Sequence, residues 1–211
     1  MTGEAVENYG WGSTQAPGSC GYITPKVIQI LARLPASRVL DLGAGNGALC
    51  AQLSTLGHQS VGVEFDAEGV RVAQDAYPSL RFYHYGVQDD PEELLKLESH
   101  FDVVVSTEVV EHLFAPHLLP AYAKAVLKPG GYLVVSTPYH GYLKNLLLSI
   151  SGKWDKHFTA LWHGGHVKFW SKKTLTELID AQGFDLVSFH GVGRLPFVWK
   201  SMVLVGKLRA P

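Results

Sequence analysis

Asp41-Leu42-Gly43-Ala44-Gly45-Asn46-Gly47 follows the apolar run Arg38-Val-Leu and precedes a helix-forming stretch near 47–56. Strand, glycine loop and helix in that order form a ligand cradle. Glycine tolerates positive φ and lets backbone approach a ligand that a Cβ would block, while the helix start offers unpaired N–H groups. Glu64 closes the next apolar run, Ser60-Val-Gly-Val-Glu64. A carboxylate there can accept hydrogen bonds from both hydroxyls of a ribose. The pair therefore points to a nucleotide-like ligand. Gly43, Gly45 and Ala48 also satisfy the GxGxxA dinucleotide pattern, so the spacing alone leaves NAD open. A third glycine at 47 and an acid, Asp41, before the first glycine suit a ligand that carries an ammonium group.

Beyond this core the chain alternates apolar runs and helical stretches. Strands are expected at 80–85, 101–107, 131–138, 184–190 and 198–205, and helices near 67–76, 120–127 and 172–181. A first helix is expected from Thr24 as N-cap, with Pro25 at the first helical position and Val27, Ile28, Ile30 and Leu31 inward. Alternation of this kind implies an α/β fold, a doubly wound, mostly parallel sheet with helices on both faces. The runs Val103-Val-Val-Ser106 and Leu133-Val-Val-Ser136, apolar nearly throughout, suit central strands covered on both sides.

The chain has 211 residues, 46% hydrophobic and 18% charged, which excludes a disordered or fibrous chain. This length suits a single domain over 1–211, with an N-terminal arm at 1–23 containing Tyr9, Trp11 and Tyr22. Eighteen basic against nineteen acidic side chains give no field that would attract nucleic acid, and none is expected as a partner. Cys20 and Cys50 lack metal-site spacing and suit a reducing compartment. With no signal-peptide pattern at the N-terminus, a cytoplasmic location is expected.

The segments DLGAGNG (41–47), VGVEFD (61–66), FDVVVSTEVVEHL (101–113) and VLKPGGYLVVSTP (126–138) together resemble class I S-adenosylmethionine-dependent methyltransferases. The resemblance covers residues from about 24 to 205. It implies a Rossmann-like seven-stranded sheet with the last strand antiparallel, S-adenosylmethionine as cofactor and S-adenosylhomocysteine as product. Residue by residue, it puts Gly43, Ala44, Gly45 and Gly47 along the methionine and ribose, with Asp41 near the amino group. Glu64 would hold the ribose hydroxyls and Phe65 would lie against adenine, while Asp66 caps the next helix; Ser106 and Glu108 would border the cofactor. Where the family often has Gly-Asp-Ala, this chain has Gly86-Val87-Gln88, which leaves the adenine contact to Val87 backbone, Gln88 or Asp89. Lys128 to Gly131 match a family turn that ends one helix and reverses the chain.

Glu108, Glu111 and His112 follow the fourth strand at i, i+3 and i+4, a spacing that shares one face if the segment is helical. His166 returns in the segment His163-Gly-Gly-His166-Val-Lys-Phe-Trp. This pattern resembles two subfamilies, the ubiquinone-biosynthesis O-methyltransferases and the small-RNA 2′-O-methyltransferases. In the second, such residues hold a divalent metal; here they would be Glu108, Glu111, His112 and His166, with Mg²⁺ or Zn²⁺ as the ion. Two other roles stay open: His112 or His166 as a base without metal, beside Glu111, or a structural role.

Residues 141–166, GYLKNLLLSISGKWDKHFTALWHGGH, stand where a short loop is the norm. Ubiquinone-type enzymes carry an apolar insertion here that reaches a lipid-borne substrate. Trp154 with Lys144, Lys153 and Lys156 has the composition of an interfacial helix, so 142–158 is a candidate for peripheral membrane contact or a lid. Trp154, Phe158 and Trp162 recur at helical spacing, and His140 also faces the site by topology. The expected activity is O-methylation of a phenolic or catecholic, lipophilic small molecule. The alternatives are a metal-assisted 2′-O- or N-methyltransferase, an NAD-dependent oxidoreductase, and a cofactor-binding module without turnover.

Overall fold

The computed structural model describes residues 18–34, 38–158, 161–162 and 164–210, the side chains of Lys156 and Phe158 apart. Tyr9, Trp11 and His163 lie outside them. The elements run α1 (Cys20–Leu31), β1 (Arg38–Leu42), α2 (Ala48–Thr55), β2 (Gln59–Glu64), α3 (Ala67–Ala76), β3 (Arg81–His84), α4 (Pro91–Leu95) and β4 (Phe101–Thr107). A 3₁₀ turn at Val110–His112 leads to α5 (Leu118–Val126), β5 (Leu127–Pro138), α6 (Tyr142–Ile150), α7 (Asp155–Phe158), α8 (Lys172–Asp180), β6 (Phe184–Val192) and β7 (Ser201–Leu208).

Seven strands form one sheet in the order β3-β2-β1-β4-β5-β7-β6. β3, β2, β1, β4 and β5 are parallel, and β7 runs antiparallel to both β5 and β6. Successive residues of a strand point to opposite faces, and the two faces gather separate cores. Val39, Val103, Val105, Val134 and Val203 pack with Val27, Ile30 and Leu31 of α1 and Leu53 of α2. Leu40, Val104, Leu133, Val135 and Leu204 pack with Leu119, Tyr122 and Ala123 of α5 and Leu175 and Ile179 of α8. Central strands covered on both sides explain the continuous valine runs.

α1 begins four residues before the expected cap. The Ser19 carbonyl accepts from Tyr22 and Ile23, so a turn forms ahead of Thr24, which is buried, and Pro25 lies inside the helix. α3 starts as expected: the Asp66 side chain accepts from the N–H groups of Glu68 and Gly69. α4 was not anticipated, although Asp90 as cap followed by Pro91 is a start signal. The 128–131 turn does not simply end a helix. β5 already pairs at Leu127 with Phe101, and the four residues bulge out before pairing resumes at Tyr132 with Val103. β7 lies three residues beyond its expected place. β6 carries a bulge at Val187, between Leu186 paired with Gly206 and Ser188 paired with Val205. Helices α6 and α7 belong to the 141–166 insertion. α6 covers the expected apolar helix, but Trp154 and Trp162 flank the four-residue α7 instead of lining one long helix.

Candidate functional site

Ligands of parallel sheets bind at the carboxyl ends of the strands. There the glycine loop leaves β1 and curls over the end of β2. The N–H groups of Gly43 and Ala44 both donate to the Val63 carbonyl, at 2.8 and 2.9 Å. Gly45 N–H donates to Glu64 Oε2 at 2.7 Å, while Glu64 Oε1 accepts from Asp66 N–H at 2.8 Å. The carboxylate expected to meet a ribose thus also ties the loop to the start of α3. Gly47, at φ 77°, is the left-handed N-cap of α2. A Cβ there would lie 2.6 Å from the Phe82 ring, and one on Gly43 would lie 2.4 Å from Val109 Cγ2. These two glycines answer to packing inside the chain as well as to any ligand.

Asp41 is buried beneath the loop. Its Oδ2 accepts weakly from the Cys50 thiol at 3.7 Å, and Oδ1 has no partner among the described residues. Burial, reinforced by the nearby charge of Glu64 and opposed by the Cys50 hydrogen bond, pushes its carboxyl up to about 7. Glu64 is raised too, by burial, with its backbone hydrogen bonds pulling the other way. Phe65 sits beside His84, whose Nε2 meets the Phe65 carbonyl at 2.8 Å. After β3, Asp89 closes a turn by accepting from Gly86 N–H at 2.6 Å. The Gln88 amide folds over Gly86, and Val87 is buried in the core. Ser106 is fully buried and donates to the Leu42 carbonyl at 2.7 Å, so its hydroxyl joins β4 to β1.

The segment after β4 does not form one helical face. Glu108 adopts φ 54°, and only then does the 3₁₀ turn begin at Val110. This kink separates Glu108 from Glu111 and His112. The Glu108 carboxylate accepts from Ser136 at 2.9 Å and Ser201 at 3.2 Å, and burial raises it to about 7 against those bonds and the charge of Lys144. Glu111, His112 and His166 do converge: one ligand atom from each lies within 4.8 Å of the others. Of the four residues expected to share a metal, these three converge, while Glu108 is turned to the serines.

Within that group, Glu111 is 1% exposed. Its Oε2 accepts from Thr137 at 2.9 Å, and its Oε1 is a buried oxygen without a hydrogen-bond donor among the described residues. Burial and then the charge of Glu108 hold this carboxyl well above the usual range. His112 Nδ1 lies 2.5 Å from the Gly164 carbonyl, and its Nε2 is 4.0 Å from Glu111 Oε1. A carbonyl only accepts, so Nδ1 carries the proton and Nε2 is the basic nitrogen. Burial lowers His112, and it lowers His166 to about 4 with help from His112 and His157.

Lys144 of the insertion and His140 just before it both lie on its inner side. Lys144 faces inward: it is 6% exposed and donates to the Lys200 carbonyl at 3.0 Å. Burial, with Arg194 adding and Glu108 opposing, lowers its ammonium to about 8. His140 is packed under the insertion, with Phe169 at 4.4 Å and Trp154 stacked at 6.2 Å between centroids. The sequence reading missed Ser136, Thr137 and Ser201, small hydroxyl residues that carry no pattern of their own and become visible only through the pairing of β5 with β7.

Asp41, Glu64, Glu108 and Glu111 thus bring four buried carboxyls to one edge of the sheet. Such an edge suits a ligand with positive charge, which favours the ionised form of these carboxyls. A cofactor with a sulfonium and an ammonium fits it. A family model for a methyltransferase domain matches residues 21–189, and the chain belongs to that family, the S-adenosylmethionine-dependent methyltransferases. The dinucleotide alternative falls with it. The ubiquinone biosynthesis O-methyltransferase of Bradyrhizobium sp. (strain ORS 278) is 32% identical over 174 residues, 78% of this chain and 64% of that protein. Its namesake from Burkholderia thailandensis is 28% identical over 167 residues, 76% of this chain and 70% of that protein.

Among solved structures, magnesium protoporphyrin IX methyltransferase from Synechocystis PCC 6803 with bound SAH superposes with a TM-score of 0.66 at 17% identity, covering 88% of this chain and 82% of that one. The [4+2]-cyclase SpnF gives 0.69 at 15% identity, covering 90% and 81%. At such identities the likeness speaks to the fold, which hosts more than one chemistry.

Proposed function

We propose that the chain transfers the methyl group of S-adenosylmethionine to a hydroxyl of a phenolic or catecholic small molecule. The observation that carries this reading is the convergence of Glu111, His112 and His166 at the carboxyl edge that also carries the glycine loop and Glu64. The names of the relatives, O-methyltransferases, support the same acceptor atom. Rate would come from holding sulfur, methyl and oxygen in line, with Gly43, Ala44, Gly45, Gly47, Asp41 and Glu64 binding the cofactor and Phe65, Val87 and Gln88 around the adenine.

His112 Nε2 is the nitrogen suited to take the acceptor's proton, since Nδ1 is engaged with Gly164. The donor set also fits a divalent cation: two imidazoles, one carboxylate, and the buried Oε1 of Glu111, lacking a donor among the described residues. Imidazole-rich ligation favours Zn²⁺ over Mg²⁺. When bound, such an ion lowers the pKa of a coordinated hydroxyl.

A lipophilic acceptor is supported by the outer side of α6, where Tyr142 is 85% and Ile150 75% exposed, with Leu143, Leu146 and Leu147 between them. Among the described residues no helix is long and apolar enough to cross a membrane, so contact with a lipid surface would be peripheral. The test is methyl transfer from labelled S-adenosylmethionine to catechols of increasing alkyl length, with and without Zn²⁺. O-methylated product whose yield rises with alkyl length supports the reading. Calorimetric binding of S-adenosylhomocysteine without transfer to any catechol overturns the acceptor class and leaves the family intact.

A further inference from the structure

The His112 imidazole of the convergent group is oriented by main chain of the 141–166 insertion. His112 Nδ1–H donates to Gly164 O at 2.5 Å, with Gly165 O next at 3.3 Å. His166 packs against His112, the two rings 5.0 Å apart and edge to face. The reverse attachment is present too: the Glu111 carbonyl accepts from Val167 N–H at 2.9 Å and Lys168 N–H at 3.1 Å. The feet of the insertion meet where Tyr139 bridges Trp170, and His140 N–H donates to the Trp170 carbonyl at 2.9 Å. On α6, Lys144 reaches inward to the Lys200 carbonyl. The insertion is therefore fastened through the very residues that would do the chemistry.

A carbonyl that captures one nitrogen of an imidazole fixes the tautomer and the ring plane, and so decides what the second nitrogen presents. Here the second nitrogen of His112 turns toward Glu111 Oε1, at 4.0 Å. We propose that the insertion is a positioning element of the reaction centre: the carbonyl of Gly164 sets His112 as the tautomer that faces Glu111, and docking of the insertion is linked to occupancy of that centre. Linkage follows because whatever binds the aligned imidazole binds the docked form better, and so stabilises it. The inference rests on the proposed role of the three residues, and its test separates the two.

Long-range ¹H–¹⁵N correlation on histidine-labelled, metal-free protein reads the tautomer directly. The expected result is a neutral His112 with its proton on Nδ1; a proton on Nε2 overturns the proposal. Hydrogen exchange of the amides in 155–158 and 164–168, with zinc titrated in, reads the linkage. Zinc should slow that exchange at least threefold in the native chain and leave it unchanged in Glu111→Gln. Zinc heat by calorimetry without slowed exchange overturns the linkage. Absence of zinc heat together with the Nδ1–H tautomer overturns the cation in the proposed function and upholds the positioning.

Gly165→Pro is the corresponding variant, since Gly165 N–H donates to the Trp162 carbonyl at 2.9 Å and proline both removes that donor and restricts Gly164. It should shift His112 toward the Nε2–H tautomer and lower kcat at least tenfold. Affinity for S-adenosylhomocysteine should stay within twofold. An unchanged tautomer with kcat intact overturns the role of Gly164.

Discussion

The cofactor half and the acceptor half of this site are held by different kinds of bond. In the first, contacts join neighbours in the sheet: Gly43 and Ala44 to Val63, Gly45 to Glu64, Ser106 to Leu42. In the second, contacts tie the 141–166 insertion to the ends of the strands: His112 to Gly164, Lys144 to Lys200. The first half is a fixed cradle built by strands that must pair anyway. The second depends on an excursion that the sheet does not require, which leaves room for the acceptor to change while the cofactor stays the same.

The largest effect should separate the halves. Glu111→Gln is expected to lower kcat by about 10²–10⁴ while S-adenosylhomocysteine binds within threefold of the native affinity, as measured by single-turnover transfer and calorimetry. Equal losses in both would show that the halves are one unit. Gly47→Ala strikes the cradle: its Cβ would meet Phe82 and the residue is left-handed. A cost of about 2–4 kcal/mol follows from overpacking and the positive φ, readable as a fall in the urea midpoint. Glu64→Ala removes the acceptor for Gly45 and Asp66 N–H, and affinity for S-adenosylhomocysteine should fall about ten- to a hundredfold.

A smaller effect is set by pH. Asp41 is raised to about 7, so it is neutral below that value, and an ammonium-bearing ligand favours the ionised form. Affinity for S-adenosylhomocysteine should therefore rise with pH up to about 7, by at most about tenfold per unit, and level off above. Asp41→Asn should flatten that slope; an unaltered slope would place the titration elsewhere. Smallest, Asp66→Ala removes the α3 cap at a cost of about 1 kcal/mol, seen in thermal unfolding.

The same division governs how much was legible in the chain. β4, α3 and α6 lie where periodicity puts them, because an apolar run or a capped amphipathic stretch carries its own signal. The strand–glycine–helix unit and Glu64 were readable for the same reason, being local. Glu108 was misplaced because helical spacing assumes helical backbone, and the positive φ at Glu108 breaks the assumption at one residue. Lys144 has the sequence context of an interfacial cation, but its inward turn depends on the Lys200 carbonyl, a partner remote in sequence. The start of α1 was misjudged because a turn anchored on Ser19 outweighs the usual place of proline.

The bulge at Val187 bears on how the protein coexists with copies of itself. β6 is an outer strand, and Leu186 and Val187 on it are exposed at 36% and 54%, an apolar rim of the kind that invites edge-to-edge pairing. One extra residue in the ladder throws the free N–H and C=O groups out of even spacing and bends the strand. An incoming strand then finds no regular template to extend, so the rim can stay apolar without seeding fibrils.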